Sequence, residues 1–433
     1  MIVRDTVHGD IFLSENEKRI LDCPAIQRLR GIKQLGTAYL VYPGALHTRF
    51  EHSLGTAFMT KKIIATLRRN NFEITPETEE LLSIAALMHD VTHVPFGHTI
   101  EDERKIFERH DRPERIKHLF SELGGELIDI LSEFGIKEQI RRILLTKNSD
   151  DYSHPWHVQI ISGTICADLL DYLRRDSYYV GFSKNYDERI FQYFILEDDH
   201  LAFNMVKANM LRLDARSEIL HVLRMRYFLT ERVYYHHAKI SSGAMVAKAV
   251  EWAHNLGLQR TDLYRFSDLS LLEYLKTYYG SEKPTILRLI AGVEKRKLLK
   301  RAYVLSTKIG QEKRNQLIEE FNQSPSHRRL IEQELIEQLE KKGIKVGSED
   351  VIISCPDTGT LKEAEVHVKT PEGLIKLNEY SVPGNPFDWN DVKILTDEYY
   401  NLWKFYVFGT PKIVQEAGKI CEKIIEQKNE HTI

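Results

Sequence analysis

Apolar and polar residues alternate over MIVRDTVHGDIFL, with an interruption at His8-Gly9, and this predicts a short β-hairpin or ribbon. The period then lengthens. In SENEKRILDCPAIQRLRGIKQL, Ser14 precedes Glu17 by three residues, the spacing of a capping box. Pro24 breaks that segment, and a second helix is expected to start near it. From EHSLGTAFMTKKIIATLRR to about residue 250, apolar residues recur at intervals of three and four, which predicts helices. SEILHVLRMRYFLTERVYYHHAKISSGAMVAKAVEWAHNLG has no proline and predicts one long helix or two in succession. Residues 262–342 keep the helical period but are more polar, with Ser324-Pro325-Ser326 as punctuation. After Gly343, DVIISC, AEVHVKT, GLIKL and WKFYVFG read as strands, and EAGKICEKIIEQ as a closing helix. The expected architecture is mainly α: a helical core over 1–280 with an N-terminal β-ribbon, a helical connector over 281–342, and a small α+β domain over 343–433.

Composition narrows the class. The 433 residues are 42% hydrophobic and 28% charged, which excludes global disorder. A formal net charge of −3 gives no overall field for nucleic acid or an anionic membrane, so a dedicated nucleic-acid binder is not expected. The local basic run EKRKLLKR, residues 294–301, reads as a solvated helix face. Cys23, Cys166, Cys355 and Cys421 are widely separated, without a C-x-x-C pair, as in a reducing compartment. No apolar run approaches the roughly 18 residues of a membrane span, and the N-terminus lacks the pattern of a signal peptide. The expected location is the cytoplasm.

The stretch AALMHDVTHVPFGH carries the chemistry. An apolar helix run suddenly bears His89, Asp90, His93 and His98. His89 and His93 are four apart and would share a helix face, with Asp90 about 100° around it, Pro95 ending the helix and His98 in the turn beyond. Burying such groups without partners costs several kcal/mol, about 2–7 for a neutral polar group. Coordination of a cation offsets that cost, and imidazole with carboxylate suits zinc, iron, manganese or nickel. A lone histidine would more often be a satisfied core residue; three with an aspartate point to a metal or catalytic site. HTRFEHSLG adds Arg49, Glu51 and His52 at the start of another helix, and ICADLLDYLRRD adds Asp168, Asp171 and Asp176. Taken alone, the latter is equally an ordinary helix with a polar edge.

Together these segments resemble the HD-domain metal-dependent phosphohydrolases. R-F-E-H-S-L-G followed by H-D-x-x-H-x-P-F-x-H and LLDYLRRD is most similar to their deoxynucleoside triphosphate triphosphohydrolase branch, that of the sterile-alpha-motif and HD-domain dNTPases. VHGDIFL and CPAIQRLRGIKQLGTAYLVYPGALHTRFEHSLG belong to the same resemblance, which covers about the first 250 residues well and the remainder loosely. It implies a helical HD-domain core and a divalent metal ion (Mn, Mg, Fe, Ni or Zn) held by His52, His89, Asp90 and Asp168. It also implies hydrolysis of a dNTP to deoxynucleoside and triphosphate. His98 matches the general acid, and His93 the residue orienting the nucleophile. His110 supports His93, with Glu101 in place of an aspartate beside it. Arg49 and Arg226 match phosphate contacts. Gln34, Tyr172 and Asp176 match sugar-reading positions, and Leu35 and Tyr234 pack against the deoxyribose. Asp22, Gln27 and Arg30 match positions that read a regulatory guanine nucleotide; a GTP or dNTP activator and a homo-oligomer, dimer or tetramer, are implied with them.

Some positions depart from the pattern. Leu169 replaces a phosphate-binding lysine, Thr92 and Val94 replace glycines beside His93, and Met1 and Arg4 replace a lysine and an asparagine of the regulatory site. Two other readings therefore stand beside dNTP hydrolysis: a different HD phosphohydrolase or phosphodiesterase acting on other nucleotides or nucleic-acid ends, and a non-catalytic nucleotide-sensing oligomer.

Overall fold

The computed structural model describes residues 1–357, 366–377 and 390–426. The N-terminal alternation forms the expected ribbon, β1 (Ile2–Asp5) antiparallel to β2 (Gly9–Phe12), with Ile2 opposite Phe12. Helix α1 (Glu15–Asp22) begins with the capping box: Ser14 Oγ accepts from Glu17 N at 3.1 Å, and Ser14 N donates to Glu17 Oε2 at 2.7 Å. Helix α2 (Arg49–Arg69) opens with a second box, Thr48 with Glu51, which fixes where Arg49 and His52 leave the first turn.

Helices α2, α3 (Pro76–Met88), α5 (Pro155–Ser162) and α6 (Ala167–Tyr179) pack about the largest apolar core, with α4 (His98–Glu103) between them in sequence. The proline-free segment forms two helices, α7 (Leu213–Leu229) and α8 (His237–Asn255). A π-helical turn at Thr230–Tyr234 separates them, and it re-aims the chain at Tyr234. A second core lies against α8.

The C-terminal half departs from the expected division. The connector 281–342 contains a strand, β5 (Lys300–Ser306), as well as helix α9 (Pro325–Lys341). β5 pairs with β9 (Lys404–Gly409), which pairs with β6 (Val351–Ser354), all antiparallel. The basic run 294–301 is therefore not a helix face: the preceding helix ends at Glu294, and Lys300 and Arg301 begin β5. The hairpin β7 (His367–Thr370) and β8 (Gly373–Lys376) joins the core instead, β7 lying parallel to β4 (His200–Asn204), itself antiparallel to β3 (Phe194–Glu197). These pairings are non-local, so the alternation that marks each strand carries no information about its partner. Ala364, Glu365 and Gln427, at the margins of the expected strand and closing helix, lie outside the described residues.

Buried charges tie the C-terminal sheet to α4. Arg104 meets Glu251 at 3.0 Å and Glu332 at 2.8 Å, and Lys248 meets Glu332 at 2.8 Å and the Val351 carbonyl at 2.7 Å. Ser354 Oγ donates to Glu103 Oε2 at 2.9 Å. A fully paired set of this kind is costly to break, because removing one member strands another charge.

Candidate active site

The expectation that His89 and His93 share a helix face is corrected. Helix α3 ends at Met88, His89 is its C-cap, and turns at 89–92 and 95–97 flank His93 and Val94. The chain turns early because the carbonyls beyond the helix have other partners. Arg28 reaches the carbonyls of Val91 and His93, the latter at 2.7 Å, and Arg115 reaches that of Thr92. Asp268 accepts from Phe96 N at 2.7 Å, where Phe96 takes φ +61°, an uncommon conformation for a bulky residue. Gly97 follows at φ +48°; a Cβ there would stand 2.5 Å from the Arg49 guanidinium. His98 then begins α4.

Two histidine groups result. In the first, His52, His89 and Asp168 offer ligand atoms to one point. His52 Nε2 lies 3.2 Å from His89 Nε2 and 3.0 Å from Asp168 Oδ1; Asp90 Oδ1 is 3.6 Å from His89 Nε2, and Asp90 Oδ2 is 3.9 Å from His52 Nε2. The outer nitrogens are committed: His52 Nδ1 to Asp171 Oδ2 at 2.7 Å, His89 Nδ1 to the Ala86 carbonyl at 2.7 Å. With Nδ1 donating on both rings, two Nε2 lone pairs face each other, an arrangement that asks for a cation or a proton between them. Without a cation, burial opposes protonation of His52, but hydrogen bonds to Asp168 and Asp171 outweigh it and hold the ring at about 10. Burial likewise pushes Asp90 up, yet Arg49, His89 and His93 keep it well below the carboxylate range. These residues fit a divalent metal ion by donor type and convergence.

In the second group, His93 stacks on His110 with centroids 3.7 Å apart, and His98 stands edge-on to both, at 4.9 and 5.0 Å. The fully buried Glu101 carboxylate lies 3.3 Å from a ring nitrogen of each of the three. Burial lowers His93 and His98, and burial with the neighbouring His93 lowers His110 to about 4. Glu101 is held well below its usual value by His93 and His110 despite its burial. Thr92, one of the departures from the family pattern, has a job here: its hydroxyl donates to the His110 carbonyl at 2.6 Å and anchors that loop.

Both groups open on a cavity of about 720 Å³. Gln34, Leu35, Arg49, Tyr172, Asp176, Arg226 and Tyr234 all line it, as do His52, His89, Asp90, Asp168, His98 and His110. His93 and Glu101 lie behind that lining. Arg49 NH1 is engaged by Asp90 Oδ2 at 2.6 Å, and both oxygens of Asp176 are taken, by Tyr234 at 2.6 Å and His47 at 2.8 Å. Leu169 is buried in the wall. Asp22, Gln27 and Arg30 are not brought to the cavity; Arg30 bonds Gln27 at 2.8 Å and lies 3.5 Å over the Phe50 ring. Sequence reasoning assigned no role to Asp171, His47, Arg28 or Arg115, which hold site residues from behind. The only early signal was a charge on an apolar helix face, as at Asp171. It also missed Lys147, Lys239, His367 and Lys376 in the lining, the last two brought by the distant β7–β8 hairpin.

A helical core with an H…HD…D constellation at the base of a cavity defines a metal-dependent phosphohydrolase class. The family models agree: the HD domain matches residues 49–176, and the HD associated region matches residues 208–432. An uncharacterized protein of Methanocaldococcus jannaschii is 30% identical over 424 residues, covering 96% of this chain and 80% of that protein. Human deoxynucleoside triphosphate triphosphohydrolase SAMHD1 is 31% identical over 220 residues, 44% of this chain and 35% of the human protein. A Bacteroides thetaiotaomicron phosphohydrolase shares the fold, with a TM-score of 0.69 at 22% identity over 95% of this chain and 100% of that one. The chain belongs to the HD-domain phosphohydrolases, and its core resembles that of SAMHD1. Among the described residues, no helix is long and apolar enough to cross a membrane.

Proposed function

We propose that the protein hydrolyses deoxynucleoside triphosphates to deoxynucleoside and triphosphate, with a divalent metal ion held by His52, His89, Asp90 and Asp168. The observation that carries this reading is the convergence of the His52 and His89 Nε2 atoms, 3.2 Å apart, with Asp168 Oδ1 3.0 Å from the first, beneath a cavity lined by Arg49, Arg226, Tyr172 and Tyr234. A bound cation would polarise a phosphoryl oxygen of the substrate. Arg226, with Arg49 behind Asp90, supplies fixed positive charge for the polyphosphate. Gln34 offers a side-chain oxygen without a protein partner among the described residues, suited to a sugar hydroxyl. Leu35 and Tyr234 close the space beside the sugar, and Tyr172 and Asp176 read it.

His98 faces the cavity and serves as general acid to the departing 5′ oxygen. Burial lowers its pKa in the free protein, and the negative charge of an incoming polyphosphate would raise it. His93 orients the attacking water, and His110 and Glu101 hold His93. Assembly as a dimer or tetramer, with a guanine nucleotide or dNTP activator read by Asp22, Gln27 and Arg30, belongs to the same reading.

A second reading, an HD phosphohydrolase acting on other nucleotides or nucleic-acid ends, is favoured by one observation: Leu169 puts an apolar wall where the family's lysine would stand. The test is product analysis over a dNTP panel with Mn²⁺ or Mg²⁺, with and without GTP. Release of intact triphosphate is expected. Pyrophosphate or monophosphate products would establish the second reading, and nucleotide binding without turnover a sensor.

A further inference from the structure

We propose that His8, at the tip of the N-terminal ribbon, is a positioning residue for His52 that acts through Asp171. The ribbon then helps to set the geometry of the cation site; this inference rests on the cation-binding reading above. The ribbon is largely exposed, with Ile2 at 61% and Phe12 at 66%, yet the His8 side chain is fully buried. Its Nε2 lies 2.6 Å from Asp171 Oδ1, and Asp171 Oδ2 lies 2.7 Å from His52 Nδ1. An ionised carboxylate only accepts, so both rings must donate to it. Donation from His52 Nδ1 leaves the Nε2 lone pair aimed at His89 and Asp168.

The arrangement is closed on itself. Arg175 donates to Asp171 through Nε and NH2, both at 2.9 Å, and to Asp5 through NH1 at 2.8 Å. Asp5 Oδ1 in turn accepts from the backbone of Val7 at 2.9 Å and His8 at 2.8 Å, which fixes the turn that presents His8. The fit against α2 is tight: a Cβ on Gly55, one turn after His52, would stand 1.9 Å from Asp171 Oδ1 and 2.4 Å from Arg175 NH2. His8 also stacks on Phe58 with centroids 4.9 Å apart, so a packing role must be separated from a positioning one.

Titration with Mn²⁺ alone, free metal being read by electron paramagnetic resonance, makes that separation. His8→Phe keeps the ring stack and removes the donor; it is expected to weaken Mn²⁺ binding about 10–100-fold, the usual loss when a ligand's supporting partner is removed. His8→Gln, which restores a donor, should recover much of that. Phe58→Leu should lower the Tm and leave Mn²⁺ affinity unchanged. Affinity in His8→Phe within twofold of wild type, or an equal loss in Phe58→Leu, overturns the inference. Should His8→Phe not fold, His8→Gln is compared with His8→Asn, whose shorter side chain falls short of Asp171; equal affinities then overturn it. A wild-type protein that takes up no Mn²⁺ overturns the cation reading itself, whereas a wild type that binds alongside an unaffected His8→Phe overturns this inference alone.

Discussion

The two histidine groups sit beside one another and share Asp90 as a neighbour, yet their surroundings drive them in opposite directions. His52 has a carboxylate on each ring nitrogen, Asp171 behind and Asp168 in front, and their hydrogen bonds outweigh burial and push the ring up to about 10 when no cation is present. His93, His98 and His110 crowd about Glu101, with Asp90 Oδ1 3.3 Å from His93 and Asp102 Oδ2 3.7 Å from His98, yet burial outweighs these carboxylates and pushes all three down, His110 to about 4. The balance between burial and hydrogen bonds to carboxylates, not residue type, separates them. A group that holds positive charge strongly suits a cation; a group of neutral rings near a substrate suits proton handling. Adjacent histidines of one short segment, HDVTHVPFGH, are thereby divided between two electrostatic surroundings.

The largest expected effect comes from breaking the first group. Asp168→Ala should remove stoichiometric Mn²⁺ retention and reduce turnover to background, read by metal analysis of the purified protein and by product release. Retained metal with full turnover would place the cation elsewhere. Next, His98→Ala should lower single-turnover rates about 10²–10⁴-fold, the range for losing a general acid, while metal content stays at the wild-type level. Undiminished turnover would remove the acid role, and loss of metal would merge the two groups into one.

An acid-stability comparison sharpens the contrast. His157, on α5 and a member of neither group, is held at about 4 by burial and the nearby His154. Between pH 6.5 and 4 the unfolded chain binds a proton there and the folded one does not, so stability falls as pH falls through that window. His157→Phe removes that term, worth up to about 3 kcal/mol at pH 4. The acid sensitivity left in urea titrations of the variant then comes from the remaining groups, among them the clustered histidines and the depressed carboxylates Asp90 and Glu101; a variant that remains as sensitive as wild type would show that His157 titrates normally. The smallest effect is steric: Gly55→Ala, whose new methyl meets Asp171 and Arg175, should cost about 1–3 kcal/mol in denaturant unfolding, as overpacked sites do. An unchanged midpoint would mean that α2 and α6 can separate there without cost.

How far the site was legible follows from where its signals lie. His89, Asp90, Arg49, His52 and Asp168 interrupt strongly apolar helices, and such interruptions stand out because burial of a charge is expensive. Their geometry did not follow from spacing: four-residue separation suggested one helix face for His89 and His93, but the helix stops at Met88. The competing partners of those carbonyls, Arg28 and Arg115, are 63 and 23 residues away in sequence. The C-terminal strands were legible by alternation, whereas β5 lay inside a segment whose composition read as helical, and its pairing with β9 spans about a hundred residues.

The sequence alone determined the class of architecture: a ribbon closed by His8-Gly9, capped helices of period three and four, late strands, and histidine and aspartate at points where only partners could offset their burial. Those features are local, set by backbone propensity and by the period of the apolar face. Tertiary structure decided what surrounds each polar group. It put Asp171 behind His52, gathered three rings about Glu101, occupied both oxygens of Asp176, and brought the β7–β8 hairpin to the cavity wall. The role of an ionisable side chain depends on the charges and dielectric within a few ångströms of it, and those neighbours come from chain segments that only folding brings together.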